Sequence, residues 1–192
     1  MTVSFPMVTA WLDGEVPDSA SIWGWRCFQL GLFLLPSSAL LGGLLLFPAL
    51  ILGSLGRARP FWRDPWNAPL LLAGSLMVVG CFRSYSGVLA WAGLANWIPF
   101  FWGFWGFQPY LALPQSRRRC SLWLVAGSVP VVVTGLGQLW LGWQGPWQLF
   151  GGLIIWFVSA GGRPEGRLSG LFDYANIASA WLAMVWPLML AA

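Results

Sequence analysis

The sequence contains no histidine and no lysine, so all ten of its basic residues are arginine. The absence of histidine excludes Ser-His-Asp and Cys-His nucleophile arrangements and every metal site that uses histidine. Six carboxylates are present, and Asp13, Glu15 and Asp18 are bunched near the N-terminus. A paired-carboxylate mechanism is therefore not indicated, and we expect no metal and no other cofactor.

Cysteine is also sparse, and its spacing fits no known motif. Cys27, Cys81 and Cys120 are far apart, and each lies within or beside an apolar run. Without a C-x-x-C pair, the usual zinc and redox motifs are excluded. We expect the three side chains to behave as small buried apolar groups.

Charge is scarce throughout the chain. Charged residues make up 8% and hydrophobic residues 58% of the 192 residues, and the mean hydropathy is +0.69. Soluble domains carry roughly a quarter charged residues, whereas the apolar runs here reach about 20 residues, enough to cross about 30 Å of hydrocarbon. The formal net charge of +4 then indicates topology and contact with membrane lipids, and no nucleic-acid partner.

The predicted fold is all-α. We expect a polytopic transmembrane helical bundle with about five or six membrane segments plus a short interfacial or re-entrant segment. Residues 1–20 are predicted to form a polar N-terminal tail, and residues 21–192 the transmembrane helical domain. The apolar stretch 21–55 would make a helix of about 52 Å, too long for one span. It predicts instead two short helices broken near Pro36.

Two arginine clusters divide the rest of the chain. Short loops rich in arginine stay cytoplasmic, so the chain between the clusters should cross an even number of times. We predict crossings at 68–86 and 88–113, joined by an outer turn that contains Arg83, and a further crossing at 122–141. The clusters are Arg57, Arg59 and Arg63, and Arg117, Arg118 and Arg119.

Residues 149–158 leave two topologies open. The segment is apolar but short, which favours an interfacial or re-entrant segment over a full span. If it does not cross, Arg163 and Arg167 lie on the outer side; if it does, they lie inside.

Sixteen tryptophans point to the membrane as well. Indole rings prefer the headgroup level, and tryptophans at segment edges are predicted to be such anchors. Trp102 and Trp105 lie inside an apolar run and are predicted to pack between helices. The predicted anchors are Trp23, Trp25, Trp62, Trp66, Trp140, Trp143 and Trp147.

Arg163 and Arg167 precede the last apolar segment and suggest an anion site. A guanidinium group binds phosphate oxygens bidentately and stays charged. The alternative is that both side chains pair with Glu165, Asp173 or lipid headgroups.

The run Arg167-Leu-Ser-Gly170-Leu-Phe172-Asp-Tyr-Ala-Asn176 resembles the signature of the O-antigen ligase and polymerase superfamily. That signature reads roughly Arg-x-x-Gly-x-Phe, then Asn-Pro-Asn, then an apolar span that ends near a proline. Residues 96–107 and 143–152 are similar to cyanobacterial members, some of them described as bicarbonate transporters. Ala175 stands where the family usually has proline.

The resemblance implies a multi-pass bacterial inner-membrane enzyme that transfers glycans from an undecaprenyl-pyrophosphate carrier in lipopolysaccharide and other cell-surface polysaccharide synthesis. It uses no nucleotide and no metal. The role of holding the donor pyrophosphate falls to Arg167, with Arg163 and Asn176 as further substrate-binding residues. The alternative is a structural role for these residues. Gly170 then supplies a tight turn and Asn176 caps the last helix. The small residues Ala175, Ser179 and Ala183 pack against a neighbouring helix.

The family also uses a later outer loop with an essential histidine, which this sequence lacks. We therefore expect the chain to be an N-terminal portion that binds the donor weakly and transfers no glycan alone. The alternative is transport, or a transport-associated role, for a small anion such as bicarbonate. A pathway would need facing polar residues in mid-membrane, although Asn96 and Gln138 could instead bond to each other. The candidates are Ser75, Asn96, Thr134 and Gln138.

Overall fold

A computed structural model of the chain describes residues 21–55, 57 and 59–191. The predicted polar tail, residues 1–20, lies outside the described residues. The described part is mostly helical with one small sheet, so the all-α prediction is confirmed apart from that sheet. The helices are α1 (Ile22–Leu34), α2 (Ala39–Leu55), α3 (Ala68–Phe82), α4 (Val88–Gly106), α5 (Pro114–Trp140) and α6 (Ala175–Ala191). Short 3₁₀ turns occupy Phe61–Arg63, Pro65–Asn67, Gln108–Leu111 and Phe150–Gly152.

The sheet is an antiparallel hairpin of β1 (Trp147–Leu149) and β2 (Ile154–Trp156), with Gln148 opposite Ile155. Each strand has three residues and spans only about 10 Å. Residues 149–158 therefore form a short hairpin and no helix, which agrees with the interpretation that this segment does not cross a membrane.

Two helical stretches within the described ranges are long and apolar enough to cross a membrane, Pro65–Phe82 and Pro114–Trp140. Helices α2 and α6 are apolar but shorter. Length and composition thus establish two candidate spans, and the predicted bundle of about five or six membrane segments is not confirmed by these criteria.

Helices α1 and α2 form a tight pair with its turn at Pro36, which confirms the predicted break. Proline has no backbone N–H to continue a helix. Ser38 then caps α2, because its Oγ accepts a hydrogen bond from the Leu41 N–H at 3.4 Å. The two helices approach closely at Gly42, where an added Cβ would lie 2.6 Å from Leu35 Cα.

The predicted turn around Arg83 is also found, between the end of α3 and the start of α4. The second arginine cluster, residues 117–119, was predicted to be a loop and instead lies in the first turns of α5. The physical reason is Pro114, whose fixed φ suits the first position of a helix. Arginine is a good helix former and continues it.

The core of this bundle joins α1, α2, α5 and the connection before α5. It contains Trp25, Phe28, Ala49, Tyr110 and Cys120, all buried. Tyr110 Oη donates to the Ala49 carbonyl oxygen at 2.7 Å. Burial, and secondarily the nearby Cys27 thiol, raises the pKa of Tyr110 to about 12, so its hydroxyl stays protonated and keeps this bond.

The tryptophan and cysteine predictions hold in part. Trp105 is packed as predicted, and Trp102 Nε1 donates to Ser54 Oγ at 2.8 Å. Trp25, predicted to be an edge anchor, is fully buried, because α1 pairs with α5 along that side. All three cysteines are free, and Cys120 is the buried one. Predicted anchors with well exposed rings are Trp23, Trp62, Trp66 and Trp140.

Candidate functional site

The two candidate arginines lie on a loop, residues 159–173, that we call the arginine loop. Gln138, in the last turn of α5 and 1% exposed, fixes this loop. Its Oε1 accepts from the Gly170 N–H at 2.7 Å, and its Nε2 donates to Ser169 Oγ at 3.2 Å. Its backbone carbonyl accepts from the Gly161 N–H at 3.1 Å. One buried residue therefore ties the loop to the end of α5, with its backbone carbonyl at Gly161 and its side chain at Ser169 and Gly170.

Close packing reinforces these hydrogen bonds. Leu168 covers Gly135 of α5, where an added Cβ would collide with the leucine side chain. Gly170 has a φ of +61°, and an added Cβ there would lie 2.5 Å from the Val131 carbonyl oxygen. Glycine is thus required at residue 170 both by the backbone conformation and by the contact. The interpretation of Gly170 as a tight turn agrees with this geometry.

The guanidinium groups face outward on a closed turn. Arg163 and Arg167 are both exposed, and the Arg167 N–H donates to the Pro164 carbonyl at 3.0 Å. The turn therefore brings the backbone of Arg167 back beside Arg163. Arg163 Cζ lies 5.0 Å from the centre of the Tyr174 ring, a cation–π contact that limits its freedom.

The alternative of local ion pairs is not found in the described residues. Neither arginine of the loop pairs there with Glu165 or Asp173, although both carboxylates are exposed nearby. The ion pair that the described residues do contain joins the first arginine cluster to Asp64, with 3.5 Å between its N and O atoms. The two guanidinium groups of the loop are therefore available to an anion from outside.

Asn176 lies beside the arginines but does not cap the last helix. Helix α6 begins at Ala175, so Asn176 is already inside its first turn and exposed. The Ala175 N–H donates to the Arg163 carbonyl at 2.8 Å. This bond brings Arg163, Arg167 and Asn176 into one region at the end of α5.

The prediction of which face of α6 packs against a neighbouring helix is wrong for two of its three residues. Ala175 is buried as predicted, but Ser179 and Ala183 are exposed. The buried face instead runs through Ala178 and Val185. The reason is the contact with α5, where Trp181 Nε1 donates to Ser128 Oγ at 2.8 Å and sets the rotation of the helix.

Sequence reasoning missed the role of Gln138. It was a candidate partner of Asn96, but Asn96 is exposed on α4 and Gln138 bonds to the arginine loop. Ser75 Oγ also bonds within its own helix, to the Leu71 carbonyl at 2.8 Å. The available signal was a lone amide in the last turn of an apolar helix that is followed by a glycine-rich loop.

Comparisons with protein-family models, with curated proteins and with solved structures found no match. The resemblance to the O-antigen ligase and polymerase superfamily therefore stays a prediction from residues 96–107, 143–152 and 167–176.

Proposed function

We propose that the chain is a multi-pass protein of a bacterial inner membrane, in which α3 to α6 cross the bilayer. Helices α1 and α2 form a re-entrant pair that enters from the arginine-rich end of α5 and returns to it. The arginine loop lies at the opposite surface, and the β-hairpin extends from there towards the α1–α2 turn, because Trp156 Nε1 donates to the Ser37 carbonyl at 2.6 Å. All six helices then occupy the membrane, and four of them cross it.

Contacts along α5 support the re-entrant pair. Helix α1 runs parallel to α5, because Trp123 Nε1 donates to Gln29 Oε1 at 2.7 Å and Ser37 Oγ donates to the Gly127 carbonyl at 3.4 Å. Gly127 is roughly 20 Å from the start of α5 at 1.5 Å per residue, about half of this 27-residue helix. The turn between α1 and α2 therefore lies near mid-depth of α5.

We infer that the arginine loop binds the pyrophosphate of an undecaprenyl-linked glycan, with Arg167 as the principal contact and Arg163 and Asn176 beside it. The observation that carries this inference is a pair of exposed guanidinium groups on a loop that is hydrogen-bonded to the end of a candidate span. Neither group has a carboxylate partner among the described residues. Guanidinium groups stabilise a departing pyrophosphate without proton transfer, because they stay charged. Such a site fits a lipid-linked glycan ligase or polymerase.

The transport alternative has less support. A path for bicarbonate needs free polar groups in mid-membrane, yet the Ser75 hydroxyl and the Gln138 amide are engaged in bonds that build the fold. Thr134 is buried in the α5 contact surface. Of the four candidates, only Asn96 offers an exposed amide, which is too little for a path.

The test is binding of undecaprenyl pyrophosphate to the chain in nanodiscs, with wild type and Arg167→Gln compared. Loss of a bidentate charged contact should weaken binding about tenfold or more. The matched control is Arg83→Gln, which removes an exposed arginine from the turn after α3. It should change the affinity less than about twofold. Equal affinity of wild type and Arg167→Gln would remove Arg167 from the site, and bicarbonate flux into proteoliposomes would favour the transporter.

A further inference from the structure

A second polar site lies at the other end of α5, where residues of α1 and α5 line a cleft of about 620 Å³. Two of the lining side chains are almost fully buried, Trp25 at 0% and Ser116 at 3% exposure. Trp25 Nε1 and Ser116 Oγ have no hydrogen-bond partner among the described residues. Buried donors without partners are costly and rare, so both atoms point to a ligand that accepts hydrogen bonds.

The charge around the cleft selects an anion. Half-buried Arg119 lines it, and no carboxylate is among the described lining residues. Arg118 lines it too but already has an interaction partner, so we assign the contact with the anion to Arg119. Helix α5 also begins here without a side-chain cap at Leu113, which leaves its positive end open to an anion.

The cleft changes from polar to apolar along the helix. Ser116 and Arg119 line it near the start of α5, whereas Leu122 and Ala126 line it further along the helix. The first and last of these residues are about 15 Å apart along α5 at 1.5 Å per residue. A free phosphate would fill a small part of 620 Å³ and leave the apolar part empty, whereas a headgroup with the start of an acyl chain matches both.

We propose that this cleft binds one anionic glycerophospholipid. Its phosphodiester accepts hydrogen bonds from Trp25 Nε1 and Ser116 Oγ and pairs with Arg119, and an acyl chain lies along Leu122 and Ala126. The site is at the opposite end of α5 from the arginine loop and does not depend on the donor-binding proposal.

The experiment is native mass spectrometry of the full chain, titrated with phosphatidylglycerol or with phosphatidylcholine of the same acyl chains. Both lipids have the phosphodiester, but only the first has a net negative charge. Wild type should bind the first phosphatidylglycerol about fivefold more tightly than phosphatidylcholine. Arg119→Gln should lose that preference, and Ser116→Ala should weaken phosphatidylglycerol binding about threefold.

Arg117→Gln is the matched control, since it removes the same charge from the same helical turn, and Arg117 does not line the cleft. It should retain the preference for phosphatidylglycerol. Equal losses in Arg117→Gln and Arg119→Gln would replace the site by general surface charge. Displacement of phosphatidylglycerol by millimolar inorganic phosphate would show that the cleft takes a free phosphate group and would overturn the lipid assignment. If Arg119→Gln fails to fold, unchanged lipid binding by Ser116→Ala would overturn it as well.

Discussion

The buried polar groups at the two ends of α5 differ in whether they are hydrogen-bonded. At the C-terminal end, the Gln138 amide is buried and bonded to the arginine loop at Ser169 and Gly170. At the N-terminal end, the Trp25 and Ser116 donors are buried and have no partner in the part of the chain that the structure describes. Because an unmade buried hydrogen bond is costly, the paired amide at the first end stabilises the fold, whereas the unpaired donors at the second end are the basis of the proposed lipid site.

The ends also differ in where their charge lies. The loop at the C-terminal end holds its arginines in the open, whereas Arg119 at the N-terminal end is half-buried beside the cleft. Ser116 and Gln138 are about 33 Å apart along the helix, close to the roughly 30 Å of a hydrocarbon core. One helix thus separates the two proposed anion sites by about one membrane thickness.

The largest expected effect comes from removing the Gln138 amide at the C-terminal end of α5. Gln138→Leu keeps the approximate volume but orphans the Gly170 N–H and the Ser169 hydroxyl, so the free energy of unfolding should fall by about 2–4 kcal/mol. Denaturant unfolding in detergent measures this loss, and faster trypsin cleavage after Arg167 reports the released loop. Gln148→Leu, on the exposed strand β1, should change neither. An unchanged cleavage rate in Gln138→Leu would mean that the loop is held by other contacts.

Two glycines of the arginine loop test how closely the loop packs against α5. Gly166 and Gly170 both have positive φ, of +79° and +61°, but an added Cβ meets nothing within 4 Å at Gly166 and the Val131 carbonyl at Gly170. Gly166→Ala should therefore cost about 1 kcal/mol of unfolding free energy from backbone strain alone. Gly170→Ala should cost a further 1–3 kcal/mol or so from overpacking. Equal shifts in melting temperature for the two variants would show that the loop can move away from Val131 at no further cost.

The smallest effect compares two buried serines of α5. Ser128 Oγ donates to the Leu124 carbonyl and accepts from Trp181 Nε1, both at 2.8 Å, whereas Ser116 Oγ is unpaired. In phospholipid-free detergent, Ser128→Ala should lower the free energy of unfolding by about 1–2 kcal/mol, and Ser116→Ala should be neutral or slightly stabilising. A loss in Ser116→Ala as large as that in Ser128→Ala would mean that its hydroxyl has a partner within the protein. Thermal unfolding of both variants in the same detergent decides it.

Local features of the sequence were enough for several elements. Pro36 and the serines after it ended one helix and began the next, because proline lacks a donor and serine caps. The polar turn at Arg83 separated α3 from α4 as predicted. By contrast, α5 begins at Pro114, ahead of the arginine cluster. The charge of the three arginines had led to the prediction of a loop, although a proline is common at the first position of a helix.

The candidate site could be located but not built from the sequence. Arg163 and Arg167 were identified from their spacing and chemistry, and their exposure agrees with a contact to an anion. The end of α5 at which they lie depends on the conformation of residues 149–158. The short apolar run of that segment is compatible with a helix or with strands. Pairing between Gln148 and Ile155 decided for strands, and such pairing depends on chain segments that meet only in the folded protein.

The sequence by itself determined the helical class, the apolar character and the break at Pro36, because composition and local backbone chemistry control these. Only the tertiary structure decided that Trp25 is buried and that Gln138 bonds to the arginine loop. It also decided that the donors of Trp25 and Ser116 lack partners among the described residues. The physical reason is that burial and hydrogen-bond pairing are properties of contacts between residues far apart in the chain, such as Ser37 with Gly127. No local pattern in one segment specifies the partner that another segment will present.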